Sequence, residues 1–354
     1  MVGYLVLENG EIFEGDRIGY NIDTACEVVF NTSMVGYIET LTDPSYYGQG
    51  IVMTYPLIGN YGVMPEDYES DGIFAKAVFV HEIAEFESNF RTKFNFDKFL
   101  RDYKIPGLSN VNTRKLVRVL RDFGTMKGYL TSNISNIDEI MKKIKDYHVG
   151  KAVDKVTSNQ VKVYGRGKSK KVAVIDYGVE HNLINSLLKR DCEVTVFPAN
   201  TIADRILAMK PDGIMLSNGP GDPADYNSQI KEVKKLYDSN TPIIGIAFGH
   251  QLMGLANEFK IGKLKYGHRG PNHPVKDLKQ DIVHITNQNH GYYIIEESID
   301  KKIAEVSHVN LNDKTIEGLR YKNKKVFTIQ FYPEDADYIY DEFIEILRYC
   351  ACVP

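Results

Sequence analysis

The second half of the chain alternates short apolar runs with segments of helical period. KVAVIDYG (171–178) reads as a buried strand, NLINSLLKRD (182–191) as a helix, CEVTVFP (192–198) as a strand and ADRILAMKP (203–211) as a helix. DGIMLSNGPGDP (212–223) is a strand running into a tight loop, and IKEVKKLYD (230–238) is a helix. PIIGI (242–246) is a further strand, after which Leu252, Met253 and Leu255 line one face of a helix. VFTIQF (326–331) closes the series. Strands alternating with helices predict a parallel, doubly wound α/β sheet. Ligands of such sheets lie at the carboxyl ends of the strands.

The first half has a different texture. Residues 1–150 mix short alternating strands, YLVLENGEIFEG and KAVFVHEI, with a helix around Val111–Phe123 that Asn112 can cap. They form a separate, mixed α/β domain. Residues 151–170, KAVDKVTSNQVKVYGRGKSK, are basic, polar and glycine-bearing, which predicts an exposed linker. The second domain is then 171–354. No internal repeat stands out.

Composition narrows the function classes. At 354 residues the chain is long enough for two domains, and 43% hydrophobic with 25% charged residues is ordinary for a globular protein. A net charge of −4 gives no global attraction to nucleic acid. No apolar run approaches the roughly 18 residues of a membrane span. The N-terminus, MVGYLVLENGEIFEG, lacks the form of a signal peptide. The four cysteines, Cys26, Cys192, Cys350 and Cys352, make no disulfide scaffold. These features set the cytoplasm as the expected location.

Two strand ends are rich in special residues. Ser217-Asn218-Gly219-Pro220-Gly221-Asp222-Pro223 follows the strand GIML, and glycines there let backbone N–H groups approach a ligand oxygen closely. Gly245-Ile246-Ala247-Phe248-Gly249 has the form of a sharp strand-to-helix turn that lifts its middle residue into a cleft beside helix N–H groups. The lifted residue is an alanine. Taken alone, each segment also fits a plain turn or βα connection. Further pieces lie downstream: Gln288-Asn289-His290-Gly291-Tyr292 and Tyr332-Pro333-Glu334.

The order and spacing of these pieces resemble a class I, triad-type glutamine amidotransferase domain. FNTSMVGYIETLTDPSYYGQGIV, TYPLIGNYG, ESNFR and NTRKLVRVLR resemble the N-terminal domain of the carbamoyl-phosphate synthetase small subunit. The resemblance runs nearly end to end. It implies a subunit that hydrolyses glutamine and supplies ammonia to a large subunit making carbamoyl phosphate, for arginine or pyrimidine synthesis. It also implies a cysteine nucleophile where Ala247 stands, a histidine base where Tyr332 stands, and an orienting glutamate matched by Glu334. The implied glutamine and oxyanion contacts are Ser33, Gly219, Gly221, Gln251, Asn289 and Gly291. Phe248 stands for a usual leucine and Tyr292 for a usual phenylalanine. Glu180 replaces a usual lysine and reverses the charge expected near the cleft mouth.

A methyl group has no lone pair, so no thioester can form at Ala247. A phenol, with a reference pKa near 10, is a poor proton acceptor at neutral pH. The expectation is a degenerate glutaminase: an inactive small subunit of a synthetase that uses free ammonia, with weak or absent glutamine binding. Two alternatives stay open, a subunit active by another route and a glutamine-binding pseudo-enzyme acting as sensor or interaction protein. No G-x-x-x-x-G-K-[ST] loop is present, so ATP and Mg²⁺ are expected on the large-subunit partner. His250, His268, His273 and His290 show no metal-motif spacing, so no metal is expected. Cys350 and Cys352 read as a frayed tail, and Asp176 as a structural residue at a strand end.

Overall fold

The computed structural model describes residues 1–333 and 337–351. The chain divides into two units, Met1–Gly150 and Lys151–Pro354.

In the first unit, seven strands among the described residues close into a barrel. Their order around it is Val2–Leu7, Ile12–Gly19, Pro106–Ser109, Ala77–Phe79, Gln49–Met53, Thr24–Asn31 and Met126–Thr131, which returns to the first strand. Leu5, Leu7, Val28, Val52, Phe79 and Leu130 are fully buried, as the inward positions of a small barrel must be. The expected helix forms over Thr113–Phe123, with the side chain of Asn112 accepting the Lys115 N–H at 2.9 Å. Leu116, Val119 and Leu120 are its buried face, at the spacing one helical stripe requires.

The second unit is built on one sheet of ten strands among the described residues. Its parallel part runs in the order Cys192–Pro198, Lys170–Asp176, Gly213–Leu216, Ile243–Ile246 and Val326–Ile329. Alternate residues of these strands feed two cores. Ala173, Ile175, Ile214 and Leu216 pack with Leu236 of the helix Asn227–Asp238 and Leu252 of the helix Phe248–Ala256. Val172, Val174 and Met215 pack with Leu187 of the helix His181–Lys189 and Phe343 of the helix Asp337–Ala351. A sheet apolar on both faces and covered by helices on both is the doubly wound arrangement expected.

Beyond Val326–Ile329 the sheet turns antiparallel through Ile316–Tyr321, Ala304–Asn310 and the long hairpin Ile261–Asp277/Ile282–Ile294. The apolar runs of the βα pattern gave no notice of this extension, whose strands mix polar and apolar residues.

Residues 151–170 are not an exposed linker. Ala152 and Val153 are fully buried, and Lys162–Tyr164 adds an antiparallel edge strand to Cys192–Pro198. The Val153 N–H donates to the hydroxyl of buried Tyr226 at 2.9 Å. The Ser158 N–H donates to Asp176 Oδ2 at 2.7 Å. The stretch is polar because an edge strand keeps one side in water; its few apolar residues anchor it.

Tyr226→Phe tests that anchor. It leaves the buried Val153 N–H without its acceptor and should cost about 1–3 kcal/mol, read as a lower denaturant midpoint with an unchanged slope.

Candidate functional site

The parallel strands deliver the special residues to one end of the sheet. Ile246 pairs with Ile329, and the Ala247 N–H donates to the Ile329 carbonyl at 2.9 Å. The helix Phe248–Ala256 starts at the next residue, and the Gln251 N–H donates back to the Ala247 carbonyl at 3.1 Å. Two glycines make this turn possible. A Cβ on Gly249 would run into the Leu216 carbonyl, and one on Gly245 would sit 2.8 Å from Thr328 Cγ2 and 3.0 Å from the Gly249 carbonyl oxygen. Helix and strand therefore approach as closely as backbone allows.

The turn forces Ala247 to φ 47°, ψ −102°. Positive φ is costly for a residue with a Cβ, of order 1–3 kcal/mol. The residue is also buried, 4% exposed. The alanine thus holds the strained geometry of a nucleophile elbow while presenting only a methyl group.

Tyr332 lies in the same buried cluster as Ala247, together with Ile246, Ile329 and Phe331. Its N–H donates to the Asn287 carbonyl at 2.9 Å, and its hydroxyl lies 3.5 Å from Asn218 Nδ2. Glu334 lies outside the described residues, as do the side chains of Cys350 and Cys352.

The loop after Gly213–Leu216 supplies Gly219 and Gly221. A Cβ on Gly219 would strike the Tyr177 carbonyl, and Gly221 adopts φ +93°. Both positions therefore favour glycine on backbone grounds. Ser217 Oγ holds the loop's base, accepting the Tyr177 N–H at 3.0 Å and donating to the Asn218 carbonyl at 2.8 Å.

Gln251 is buried, and its Nε2 donates to the Tyr292 carbonyl and to Gln330 Oε1, both at 3.0 Å. Both amide hydrogens are thus used within the protein. Gln330, last but one in VFTIQF, is the partner that strand-by-strand reading passes over. Asn289 and Gly291 lie half-buried on Ile282–Ile294, where Asn289 pairs with Arg269. Tyr292 has Lys263 Nζ over its ring at 5.6 Å. Phe248 points into the core, its ring 5.6 Å from Tyr177 and 5.4 Å from Tyr226. Ser33 belongs to the first unit, where its N–H donates to Asn31 Oδ1 at 2.6 Å.

Glu180 is not at an open cleft mouth. It is 3% exposed and precedes the first turn of the helix His181–Lys189, where a carboxylate is favoured by the helix N-terminus. Asp176 is structural as expected: Oδ1 accepts the N–H groups of Gly178 at 3.0 Å and Val179 at 2.9 Å.

His250, three residues past the elbow, is fully buried with Nδ1 2.7 Å from Thr328 Oγ1. Burial, then repulsion from His308, lowers its pKa to about 3, so it stays neutral and weakly basic. The sheet also gathers His268, His290 and Glu317, widely separated in sequence, into one buried group. Burial opposes a charge on His268, but hydrogen bonds to Asp313 and Glu317 outweigh it and raise the pKa to about 9. Burial, and then His268, hold His290 well below the ordinary imidazole range.

Comparison with known proteins gives this arrangement a family. The model "Carbamoyl-phosphate synthase small chain, CPSase domain" matches residues 5–130, and "Glutamine amidotransferase class-I" matches residues 173–344. The fold and elbow are therefore those of a class I glutamine amidotransferase domain joined to a synthase-specific one. Carbamoyl phosphate synthase small chains of Clostridium perfringens and Listeria monocytogenes serotype 4b are 45% and 46% identical to it. They cover 98% and 97% of this chain, and the match covers 99% and 96% of those proteins. The pyrimidine-specific small chain of Bacillus subtilis is 43% identical over 97% of this chain and 95% of its own. The chain belongs to the carbamoyl phosphate synthase small chain family. No helix among the described residues is long and apolar enough to cross a membrane.

If glycine packing sets the elbow, Ala247→Gly should relieve the positive φ at the loss of one buried methyl group. The relief of about 1–3 kcal/mol exceeds the roughly 0.8 kcal/mol lost with a buried carbon. Thermal unfolding should therefore shift upward; a clear fall would show that Ala247 is held by side-chain packing instead.

Proposed function

We propose that this chain is the small subunit of a carbamoyl phosphate synthase in which the glutamine half-reaction has been lost and free ammonia is the nitrogen donor. The observation that carries this reading is the methyl group of Ala247 on a fully formed elbow. In active relatives a thiolate at this position would attack the glutamine amide carbon, expel ammonia and leave a thioester for water to cleave. A methyl carbon has no electron pair for the first bond, so the sequence of steps cannot begin.

The base position supports the same reading. Tyr332 offers a buried phenol in place of an imidazole. His250 is no substitute, because burial holds its pKa to about 3 and its place within the helix turns Nδ1 to Thr328. The glutamine pocket is also partly committed, since Gln251 spends both amide hydrogens on Tyr292 and Gln330. Weak or absent glutamine binding follows. The partner is a large synthetase subunit, which would hold ATP and Mg²⁺, and the first unit, matched by the synthase-specific domain model, is the part that argues for it.

The isolated chain should release no ammonia from glutamine above buffer background. Co-purified with its large subunit, it should support carbamoyl phosphate synthesis from ammonia but not from glutamine. Glutamine-supported synthesis, blocked by a thiol-reactive glutamine analogue, would overturn the reading.

Reintroducing the missing groups gives a sharper measurement. Ala247→Cys alone should hydrolyse glutamine little, because its thiol lacks a base, and Tyr332→His alone should hydrolyse none. The double variant should exceed Ala247→Cys by about 10²-fold or more, the ordinary contribution of a positioned general base. Equal rates for the two would remove the role assigned to position 332.

A further inference from the structure

We propose that the second unit holds a divalent transition-metal ion, zinc by its ligand chemistry, bound by His268 Nδ1, His290 Nε2 and the carboxylate of Glu317, with Gln288 Oε1 alongside. These residues come from three strands, Ile261–Asp277, Ile282–Ile294 and Ile316–Tyr321, and all four are buried. The ligand atoms of the two histidines and Glu317 lie within 4.8 Å of one another. His268 Nδ1 is 3.5 Å from Glu317 Oε1 and 3.0 Å from Gln288 Oε1, and His290 Nε2 is 2.8 Å from Gln288 Oε1. Donors arranged around an ion at about 2.1 Å are separated by about 3.0–3.4 Å. One of the spacings, 3.0 Å, falls within that range, and the other two, 2.8 and 3.5 Å, lie just outside it.

Hydrogen bonding alone leaves this group unsatisfied. His290 Nδ1 faces the Tyr292 carbonyl at 2.8 Å, so it must carry the ring proton. The lone pair on Nε2 then points at another acceptor, Gln288 Oε1. Glu317 is fully buried, and its Oε2 has no hydrogen-bond partner. The His268 ring meets Oε1 at 3.5 Å but leaves Oε2 bare, and a buried carboxylate oxygen without a partner costs several kcal/mol unless a further cation meets it. One ion accepting electron pairs from Nε2, Nδ1 and the carboxylate satisfies all three.

The surroundings have the form that supports metal ligands. A ligating histidine usually gives its second nitrogen to a carboxylate or carbonyl, which fixes the tautomer and the ring. Here His268 Nε2 is 2.8 Å from Asp313 Oδ2, and His290 Nδ1 is held by Tyr292. Asn310 Nδ2 donates to Glu317 Oε1 at 3.1 Å. Two imidazoles and a carboxylate suit zinc better than calcium or magnesium, which prefer all-oxygen shells. Binding displaces the proton on His268 Nδ1 to solvent and involves no redox change.

The ion would tie the long hairpin to the adjoining sheet directly behind the Tyr292 carbonyl that Gln251 uses. Its role is structural: the four residues around it are all buried.

The test begins with the intact, full-length chain. Stripped with a chelator, incubated with zinc and passed through gel filtration, it should retain about one zinc per chain. X-ray absorption at the zinc edge should then report a shell containing two imidazoles. His268→Asn and Glu317→Gln should each lose retention by at least ten-fold. Asp313→Ala, which removes the support of His268 Nε2 together with an exposed turn contact to Thr315, should weaken zinc affinity by about 10–100-fold. Retention below about a tenth of an equivalent by the unaltered chain would overturn the proposal. So would full retention by Glu317→Gln and His268→Asn, or an absorption spectrum without imidazole. Because the spectrum is taken on the unaltered chain, a variant that fails to fold does not remove the test.

Discussion

The close approach of the helix Phe248–Ala256 to its preceding strand is the constraint on which the second unit's functional end depends. Gly249 lies against the Leu216 carbonyl and Gly245 against Thr328, with no room for a Cβ on either. That contact fixes where the helix begins, and so what φ the residue between strand and helix must adopt. The strain at Ala247 is a consequence of packing two residues on either side of it, not of chemistry at its side chain. The same approach places Gln251 beside Gln330 and the Tyr292 carbonyl, coupling the elbow to the antiparallel part of the sheet. Geometry and side-chain chemistry are therefore separable at this turn.

What was legible in the sequence follows from the range of the interactions concerned. The parallel strands and their helices were readable because each buries a local apolar run, and the Asn112 cap because capping acts within three residues. The elbow was readable because its glycines must sit at fixed offsets from the lifted residue. The antiparallel strands were not, since their mixture of polar and apolar residues makes sense only once the hairpin Ile261–Asp277/Ile282–Ile294 is paired. Residues 151–170 looked like a connector because an edge strand carries few apolar side chains, and burial of Ala152 and Val153 depends on partners seventy residues away.

The candidate site divides along the same line. The positions of Ala247, Gly219, Gly221 and Gln251 followed from local motifs. The burial of Glu180 did not, because a charged residue after a strand gives no sign of what covers it. Nor did the meeting of His268, His290 and Glu317, since metal-motif spacing detects only ligands that share an element or a loop. Sheets assemble ligand sets across their strands, where sequence separation carries no information.

The strained alanine has a consequence for how position 247 can vary. A pedestal maintained by glycine packing does not decay when its occupant is replaced, because the selection that keeps the domain folded also keeps the turn. A change of side chain at that position therefore leaves no misfolded turn to be repaired. In the space of sequences the backbone of this turn is set by its neighbours, so the side chain at position 247 can vary without the fold having to follow.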